Sequence, residues 1–291
     1  MNPAYTTPSY DVAVDRDVVY SVAPGYWTGA RLNDRHAFLR LVLKRKVLRP
    51  VELTMDIYRP EGDRAAERPL LLMMHGGSFF VGYKEEPGQA EWCRYFASLG
   101  YVAASINYRM GFRPCRKDIR LAEERATEDA EASIRFLLGQ DRLRVNPERV
   151  FFAGTSAGAI ISLNLAFRPG LKEYRVRGVA DLWGAVSDLS VLENARIPIL
   201  SFQSVSDPDV PYDAGYPLRK MGILSRLLAD KMYGTHAVHE KALSLCIRSE
   251  HHPCPETGHR LHMDGDMHFT PRFFEIRDSM AEFFAVELDS E

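Results

Sequence analysis

The sequence lacks a long apolar run, since no stretch approaches the roughly 18 consecutive apolar residues of a membrane-spanning helix. The N-terminal segment 1–17 is polar and contains proline, so it does not have the apolar stretch of a signal peptide. We therefore expect no membrane span, and either a cytoplasmic protein or an exported one whose leader has been removed.

Cysteine is scarce, with four residues in 291, and no pair has the Cys-x-x-Cys spacing. A chain of this length can bury enough apolar surface to fold without a disulfide framework. Cys93, Cys115, Cys246 and Cys254 are therefore predicted to be buried or incidental thiols, with a Cys246–Cys254 disulfide as the alternative.

An excess of charge of one sign is also missing. Lys and Arg total 37 against 39 Asp and Glu, which gives a formal net charge of −2. This balance gives no electrostatic reason to expect nucleic acid or an anionic membrane as a partner.

Internal repeats, low-complexity tracts and Gly/Ser linkers are absent from the sequence, so residues 1–291 are predicted to form one domain. The oligomeric state stays open.

What the sequence does contain is an alternation of strand-like and helix-like segments. Residues 51–58 alternate and are predicted to be an antiparallel edge strand, whereas residues 69–74 are continuously apolar, as in a strand buried on both faces. Further strands are predicted at 101–108, 149–153, 179–186 and 197–203, and helices at 89–99, 128–138, 157–167, 235–246 and 272–284. This alternation predicts an α/β fold with a mostly parallel sheet.

The run Gly154-Thr155-Ser156-Ala157-Gly158 has the pattern of a nucleophile elbow. In that motif a serine lies on a sharp turn from a strand to a helix, and small neighbours let the two backbones approach closely. The pattern also occurs by chance, but here it follows a predicted strand and precedes a predicted helix. We therefore predict that Ser156 is a nucleophile and that the N–H of Ala157, at the helix start, faces a developing oxyanion.

A second glycine-containing loop, His75-Gly76-Gly77-Ser78, follows a predicted strand about 80 residues before the serine. Alone, this sequence is typical of an ordinary turn after a strand. Together with the elbow it predicts an oxyanion loop, in which the backbone N–H groups of Gly77 and Ser78 face the substrate.

An acid should follow the serine along the chain, and a histidine should follow the acid. Asp207 comes directly after the strand predicted at 197–203 and precedes a proline, so it is the preferred acid. Asp209 in the same loop and the more distant Asp188 are alternatives. The acid would hold the imidazole in the tautomer that accepts the proton of Ser156.

His259 is the preferred base, because it follows the last predicted strand, which lies around His251 and His252, and precedes the terminal helix. His262 and His268 are alternatives. With Asp264 and Asp266, these three histidines also form a dense run of metal-ligating side chains. The run matches neither His-Glu-x-x-His nor an EF-hand loop, and nothing else in the sequence completes a site, so no metal is predicted.

Residues 211–234 interrupt the alternation and carry more apolar side chains than a solvated loop needs. Long connections are often functional, so the segment is a candidate lid-like insertion. The alternative is a short surface helix around Leu227 that packs on the core.

Four motifs resemble, in their order along the chain, those of α/β-hydrolase esterases and lipases. They are His75-Gly-Gly-Ser-Phe79, Asn107-Tyr-Arg109, Gly154-Thr-Ser-Ala-Gly158 and Ser206-Asp-Pro-Asp-Val-Pro211. The resemblance is closest to carboxylesterases related to hormone-sensitive lipase and to bacterial feruloyl-esterase-like proteins. It implies the α/β-hydrolase fold, with about eight strands in a mostly parallel central sheet flanked by helices, and no cofactor.

The same resemblance favours Asp207 and His259 as the acid and the base. Two positions depart from the family pattern. Ser78 replaces the third glycine that many relatives have after the histidine, and Gln203-Ser204 replaces the His-Gly that commonly precedes the acid.

The predicted function is hydrolysis of small or medium carboxylic esters, including acetyl or feruloyl esters of sugars. A serine peptidase on the same fold is an alternative, but such peptidases usually carry a large additional domain, which a 291-residue chain is expected to lack. A catalytically silent binding protein is a second alternative, against which the survival of Ser156, an acid and a well-placed histidine counts.

Overall fold

A twisted central sheet is the framework of the molecule, and the computed structural model describes residues 5–25, 49–62, 64–170 and 173–289. The strands are β1 (Val12–Gly25), β2 (Arg49–Pro60), β3 (Arg68–Met74), β4 (Val102–Ile106), β5 (Val145–Thr155), β6 (Val176–Leu182), β7 (Ala185–Val186), β8 (Ile199–Ser204), β9 (Ala214–Gly215), β10 (Met232–Gly234) and β11 (Ser249–Cys254). Eight of them form the central sheet in the order β1-β2-β4-β3-β5-β6-β8-β11, and all neighbours from β4 to β11 are parallel. The other three form a small antiparallel sheet in the order β7-β10-β9.

Helices cover both faces of the central sheet. They are α1 (Pro87–Ser98), α2 (Arg116–Leu138), α3 (Ala157–Ala166), α4 (Ile223–Leu228), α5 (Thr235–Ser244) and α6 (Pro271–Asp289). Helices α2, α3 and α5 contribute to the core on one face, and α1 and α6 contribute to the core on the other. No helix in the described ranges is both long and apolar enough to cross a lipid bilayer.

Strand β3 shows why the sequence of a central strand is continuously apolar. Side chains alternate along a strand, so Leu70, Leu72 and Met74 enter one core while Leu71 and Met73 enter the other. All five are fully buried. The observed sheet therefore has the predicted mostly parallel α/β architecture.

The edge of the sheet differs from the prediction. Residues 51–58 are predicted to be an edge strand, but β2 lies between β1 and β4 and pairs antiparallel with both. The prediction is wrong because β1 gives little strand signal: Asp15, Arg16 and Asp17 interrupt its apolar alternation. Its extended conformation comes from pairing with β2, which adjacent residues do not reveal.

The boundaries of one strand and one helix also differ from the prediction. Residues 179–186 do not form one strand, because β6 ends at Leu182, Trp183 has a φ of 52° and β7 then joins the small sheet. Helix α2 begins at Arg116, well before the predicted 128, and its first turns bury only the small side chains Ala122, Ala126 and Thr127. Apolar periodicity cannot detect either feature.

The four cysteines are free, as the main prediction has it. Cys93 and Cys254 are buried, whereas Cys115 and Cys246 are exposed. The alternative disulfide between Cys246 and Cys254 is not formed.

Helix α3 lies very close to the sheet, and glycine makes this approach possible. A Cβ on Gly158 would lie 2.0 Å from the carbonyl oxygen of Met74 in β3. A Cβ on Gly154 would lie 2.3 Å from the carbonyl carbon of Gly158. Both contacts involve backbone atoms, which cannot rotate away as a side chain can. The turn from β5 into α3 therefore requires glycine at both positions.

We expect Gly158→Ala to destabilise the fold by about 3 kcal/mol or more, because the added methyl group must push α3 away from β3. The measurement is the midpoint of thermal unfolding, followed by circular dichroism. Gly265→Ala is the matched control, because a Cβ there meets no atom within 4 Å. Its midpoint should stay within about 2 °C of the parent protein. Equal midpoints for the two variants would contradict the close packing of α3.

Candidate active site

Three side chains from distant parts of the chain form a continuous hydrogen-bonded line. The Oγ of Ser156 lies 2.7 Å from Nε2 of His259, and Nδ1 of His259 lies 2.7 Å from Oδ2 of Asp207. Asp207 is fully buried and His259 is partly buried. Such a line can transfer the proton of the serine hydroxyl to the imidazole while the carboxylate accepts from the other ring nitrogen.

The backbone at Ser156 is strained. Its φ is 54° and its ψ is −117°, a conformation that a residue with a Cβ rarely adopts. The N–H of Ser156 donates to the carbonyl oxygen of Leu182 at 2.9 Å, and its own carbonyl accepts from Ile160 at 3.0 Å. These two bonds hold the residue between β5 and α3, as the elbow motif requires.

Both carboxylate oxygens of Asp207 accept hydrogen bonds. Its Oδ1 accepts the N–H groups of Asp209 at 2.8 Å and Val210 at 3.0 Å, and its Oδ2 accepts from Gln203 at 3.2 Å as well as from His259. Burial alone would raise the pKa of Asp207, but the hydrogen bond and charge of His259 and the two N–H groups hold that pKa below its usual range. The carboxyl group is therefore ionised beside the imidazole.

Gln203 is a residue of the site that sequence reasoning did not select. Its amide nitrogen donates to Asp207 and, at 3.0 Å, to the carbonyl oxygen of Val210, while its amide oxygen accepts the hydroxyl of Thr235 at 2.8 Å. The departure from the family pattern at Gln203 thus gives the acid loop a buried amide anchor. A large polar side chain near the end of a predicted buried strand, shortly before the acid, was the available signal.

The alternative acids occupy other positions. Asp209 donates its backbone N–H to Asp207 and lines the cavity around Ser156. Asp188 is exposed and accepts the N–H of Ser190 at 2.9 Å, which caps the short 3₁₀ helix Leu189–Asn194. The carboxyl group that is hydrogen-bonded to Nδ1 of His259 is therefore that of Asp207.

The metal-ligating side chains of residues 259–268 separate in the structure. His259 contacts Asp207, and His262 contacts Glu86. Asp264 accepts the N–H groups of Asp266 and His268, both at 2.9 Å. Within the described ranges, no group of three or more His, Cys, Asp or Glu side chains could hold a metal ion.

The loop after β3 lies beside the serine, as predicted. Gly77 and Ser78 line the cavity that contains Ser156, and Ala157 lines a second cavity at the same serine. Gly77 has a φ of 117°, and a Cβ there would lie 1.9 Å from the carbonyl oxygen of Val81, so this position requires glycine. Ala157 is the first residue of α3, where N–H groups have no partner within the helix.

Contacts of the buried residue His75 hold the start of this loop in place. It is buried, stacks on Tyr108 with ring centroids 4.3 Å apart, and its carbonyl oxygen accepts the Tyr108 hydroxyl at 2.7 Å. Burial lowers the pKa of His75 to about 4, so the ring is neutral near pH 7. Its Nδ1 lies 2.7 Å from the carbonyl oxygen of Gly76.

A second acid–histidine pair lies in the wall of the same cavity, and sequence reasoning missed it. Nε2 of His262 lies 3.2 Å from Oε1 of Glu86, and both side chains are buried. The His262 ring lies between Trp92 and Trp183, with ring centroids 5.3 Å from each. Burial would raise the pKa of Glu86, but the hydrogen bond and charge of His262 lower it. Glu86 also caps α1 by accepting the N–H of Gln89 at 2.9 Å.

Two cavities, of about 470 Å³ and about 590 Å³, meet at Ser156. The first is lined by Trp183, Phe80 and the Glu86–His262 pair, and the second by Ile160, Arg120, Glu123 and Lys231. The shared lining residues are Ser78, Phe112, Ile119, Ser156, Asp209, Pro217, Leu218 and Ala229. A molecule that reacts at Ser156 therefore has room on both sides of the serine.

The segment predicted as a lid-like insertion forms part of this wall. Residues 211–234 contain β9, α4 and β10, and Met221, Ser225 and Leu228 line the first cavity. The segment is thus both a short surface helix and a wall of the site. Its role as a lid-like insertion stays a prediction.

Asp181 lies under the elbow, at the end of β6. It is fully buried, and its Oδ1 accepts the N–H of Gly184 at 2.8 Å. Its Oδ2 has no hydrogen-bond partner among the residues that the structure describes. Because burial outweighs the single N–H bond, the pKa of Asp181 is raised to about 7. Asp181 therefore supports the turn that positions Trp183 in the cavity wall.

Comparisons with known proteins find similar esterases. The family model described as BD-FAE, an α/β-hydrolase esterase family, matches residues 55–173. A stretch of 60 residues is 33% identical to Gut esterase 1 of Caenorhabditis elegans and covers 21% of this chain and 10% of that protein. The chain thus spans about a tenth of the length of that curated relative.

Solved structures of bacterial esterases share the fold. Thermogutta terrifontis esterase 2, phosphorylated by paraoxon, has a TM-score of 0.61 at 17% identity over 96% of this chain and 94% of that chain. Esterase B from Lactobacillus rhamnosis has a TM-score of 0.58 at 15% identity over 99% and 90% of the two chains. These likenesses confirm the predicted fold class, and with the family match they confirm the predicted resemblance to α/β-hydrolase esterases.

The pKa of Asp181 leads to a prediction about stability. An Asp whose folded pKa is about 7, against a usual 3.8, binds protons more tightly in the folded state, so folding loses stability as the pH rises from about 4 to about 7. Asp181→Asn mimics the neutral carboxyl group. We expect it to raise the thermal midpoint by several degrees at pH 8 and by less at pH 5. A midpoint that falls at pH 8 would contradict the neutral, buried carboxyl group.

Proposed function

We propose that this chain, an α/β-hydrolase of the esterase type, hydrolyses carboxylic esters with Ser156 as its nucleophile. The hydrogen-bonded line from Ser156 through His259 to Asp207, with two contacts of 2.7 Å, carries this proposal. The strained turn at Ser156 and the cavities on both of its sides support it. The reaction is acyl transfer, first to the serine and then to water.

In the first half of the reaction, Oγ of Ser156 attacks the ester carbonyl carbon while Nε2 of His259 accepts the hydroxyl proton. Asp207 accepts the Nδ1–H of His259, which fixes the tautomer and stabilises the imidazolium that forms. The tetrahedral oxyanion is bound by the backbone N–H groups of Gly77, Ser78 and Ala157. Collapse of the intermediate breaks the bond to the alcohol oxygen, which takes the proton from His259.

In the second half, water attacks the acyl group on Ser156. His259 accepts one proton of that water and returns it to Oγ of the serine as the carbonyl–Oγ bond breaks. The products are a carboxylic acid and the free serine hydroxyl. The same three N–H groups bind the second oxyanion.

The lining of the cavities favours esters with apolar groups of small or medium size. Phe80, Trp183 and Leu228 line one cavity, and Ile160 and Phe112 line the other. Acetyl and feruloyl esters of sugars fit within this class. An ester panel of graded acyl length would rank these substrates, and a preference for long chains would indicate lipids instead.

The first test combines turnover with covalent labelling. We expect the parent protein to hydrolyse short-chain p-nitrophenyl esters and to be labelled by a fluorophosphonate probe, since paraoxon phosphorylates the Thermogutta relative. Ser156→Ala should lower kcat by at least about 10⁴-fold and should lose the label. Ser162→Ala, at a buried serine six residues further along the chain in α3, is the matched control and should keep the label. Absence of both turnover and labelling in the parent would exclude an esterase and favour a silent binding protein.

The second test separates the two acids of one loop. Asp207→Asn should lower kcat by about 10⁴-fold, because an amide holds His259 in the wrong tautomer. Asp209→Asn keeps the backbone N–H that Asp207 accepts, so kcat should change by less than about tenfold. Circular dichroism checks that both variants fold. A larger loss in Asp209→Asn than in Asp207→Asn would reverse the assignment of the acid.

A further inference from the structure

A surface beside the mouth of the two cavities combines apolar and basic side chains. We call it the cap surface and define it as residues 113–120 and 216–231. The two segments touch: the guanidinium of Arg116 donates to the carbonyl oxygen of Arg226 at 2.7 Å, and Arg120 pairs with Asp230. Pro114 and Ile119 on one side, and Leu218 on the other, line the first cavity. The cap surface is therefore continuous and borders the site.

Helix α4 exposes most of its apolar side chains. Ser225 and Leu228 line the cavity. Ile223, Leu224 and Leu227 lie on the outer side, with 74%, 53% and 64% of their surface exposed. Met221 and Leu218 beside them are also exposed, so five large apolar side chains lie together. A cluster of exposed large apolar side chains usually marks a surface that another body covers.

The charge of the cap surface is strongly positive, although that of the whole chain is −2. Its two segments contain eight basic residues and two acids, which gives +6. All eight basic side chains are exposed, whereas both acids are half-buried. The basic residues are Arg113, Arg116, Lys117, Arg120, Arg219, Lys220, Arg226 and Lys231. The near-neutral composition of the chain conceals this patch.

We propose that the cap surface docks on an anionic lipid surface. The outer side chains of α4 would enter the boundary between headgroups and acyl chains, and the basic side chains around them would contact the anionic headgroups. Apolar and basic groups are both needed for this mode of binding, and both are present here. The mouth of the cavities would then lie close to the lipid.

Other partners fit the cap surface less well. In a symmetric dimer the same patch would face itself, and +6 would then lie against +6. Nucleic acid would satisfy the positive charge, but the aliphatic side chains Ile223, Leu224 and Leu227 offer no surface for base stacking. An anionic lipid surface satisfies both the charge and the apolar side chains.

The test measures binding to vesicles by co-flotation and uses Ser156→Ala, so that hydrolysis has no part in the result. We expect the protein to bind vesicles that contain phosphatidylcholine and phosphatidylglycerol. Binding to vesicles of phosphatidylcholine alone should be weaker by about tenfold or more. The double variant Ile223→Ser, Leu227→Ser should weaken binding by about tenfold or more. Its matched control is Val19→Ser, Val22→Ser, two exposed apolar residues of β1, which should bind like the parent.

A second variant tests the contribution of the basic side chains to vesicle binding. Lys117→Gln with Lys220→Gln removes two exposed positive charges and should weaken binding to the anionic vesicles by about 25-fold, or roughly fivefold for each residue. Neither lysine lines the cavities, so hydrolysis of a soluble p-nitrophenyl ester by the same double variant with Ser156 intact should be unchanged. Thermal midpoints equal to that of the parent establish that the variants fold.

Three results would overturn the proposal. One is that the protein binds neither kind of vesicle. Another is binding that the Ile223→Ser, Leu227→Ser variant leaves intact, since the apolar side chains would then have no role. The third is a dimer in sedimentation velocity that the same variant dissociates, which would show that a second copy covers the cap surface.

Discussion

The close approach of helix α3 to strands β3 and β5 is the constraint on which the site depends. The absence of a Cβ at Gly154 and Gly158 lets the helix begin directly at the ends of these two neighbouring strands. A Cβ on Gly76 would likewise lie 3.0 Å from the carbonyl oxygen of Thr155, so the loop after β3 also touches the elbow. The N-terminus of α3 and that loop therefore face the same cavity. The strained backbone of Ser156 is tolerated because these contacts fix the chain on both sides.

Three buried carboxyl groups near the site show how the number of donors sets ionisation. Asp207 accepts from four groups, and its pKa falls despite burial. Glu86 accepts from His262 and from a backbone N–H, and its pKa also falls. Asp181 accepts from one N–H alone, and its pKa rises to about 7. Since burial penalises the charged form of each, the donors decide which carboxyl groups can stabilise a neighbouring imidazolium.

Local motifs could be predicted from the sequence, but contacts between distant segments could not. Ser156 and Asp207 lie directly after strands, and parallel strands end at one edge of the sheet, so chain order and strand ends suffice to bring them near His259. Glu86 and His262 give no such signal, because the first caps a helix and the second lies in an irregular segment 176 residues away. Strand β1 was missed for the same reason, since its partner β2 rather than its own sequence makes it extended.

Helix α4 bears on both sequence interpretations of residues 211–234: a short surface helix forms there, but its Leu227 is exposed instead of packed on the core, and the lid-like role stays a prediction. With six residues, Ile223–Leu228, it is too short to bury two sides, so its inner side forms cavity wall and its outer side stays exposed. The segments flanking the helix contribute Pro217, Leu218 and Ala229 to both cavities. Because the segment 211–234 borders the space on either side of Ser156, a displacement of α4 together with its flanking residues would change both volumes. In the proposed function, the fit of the acyl half and of the alcohol half of the ester is therefore coupled through this segment.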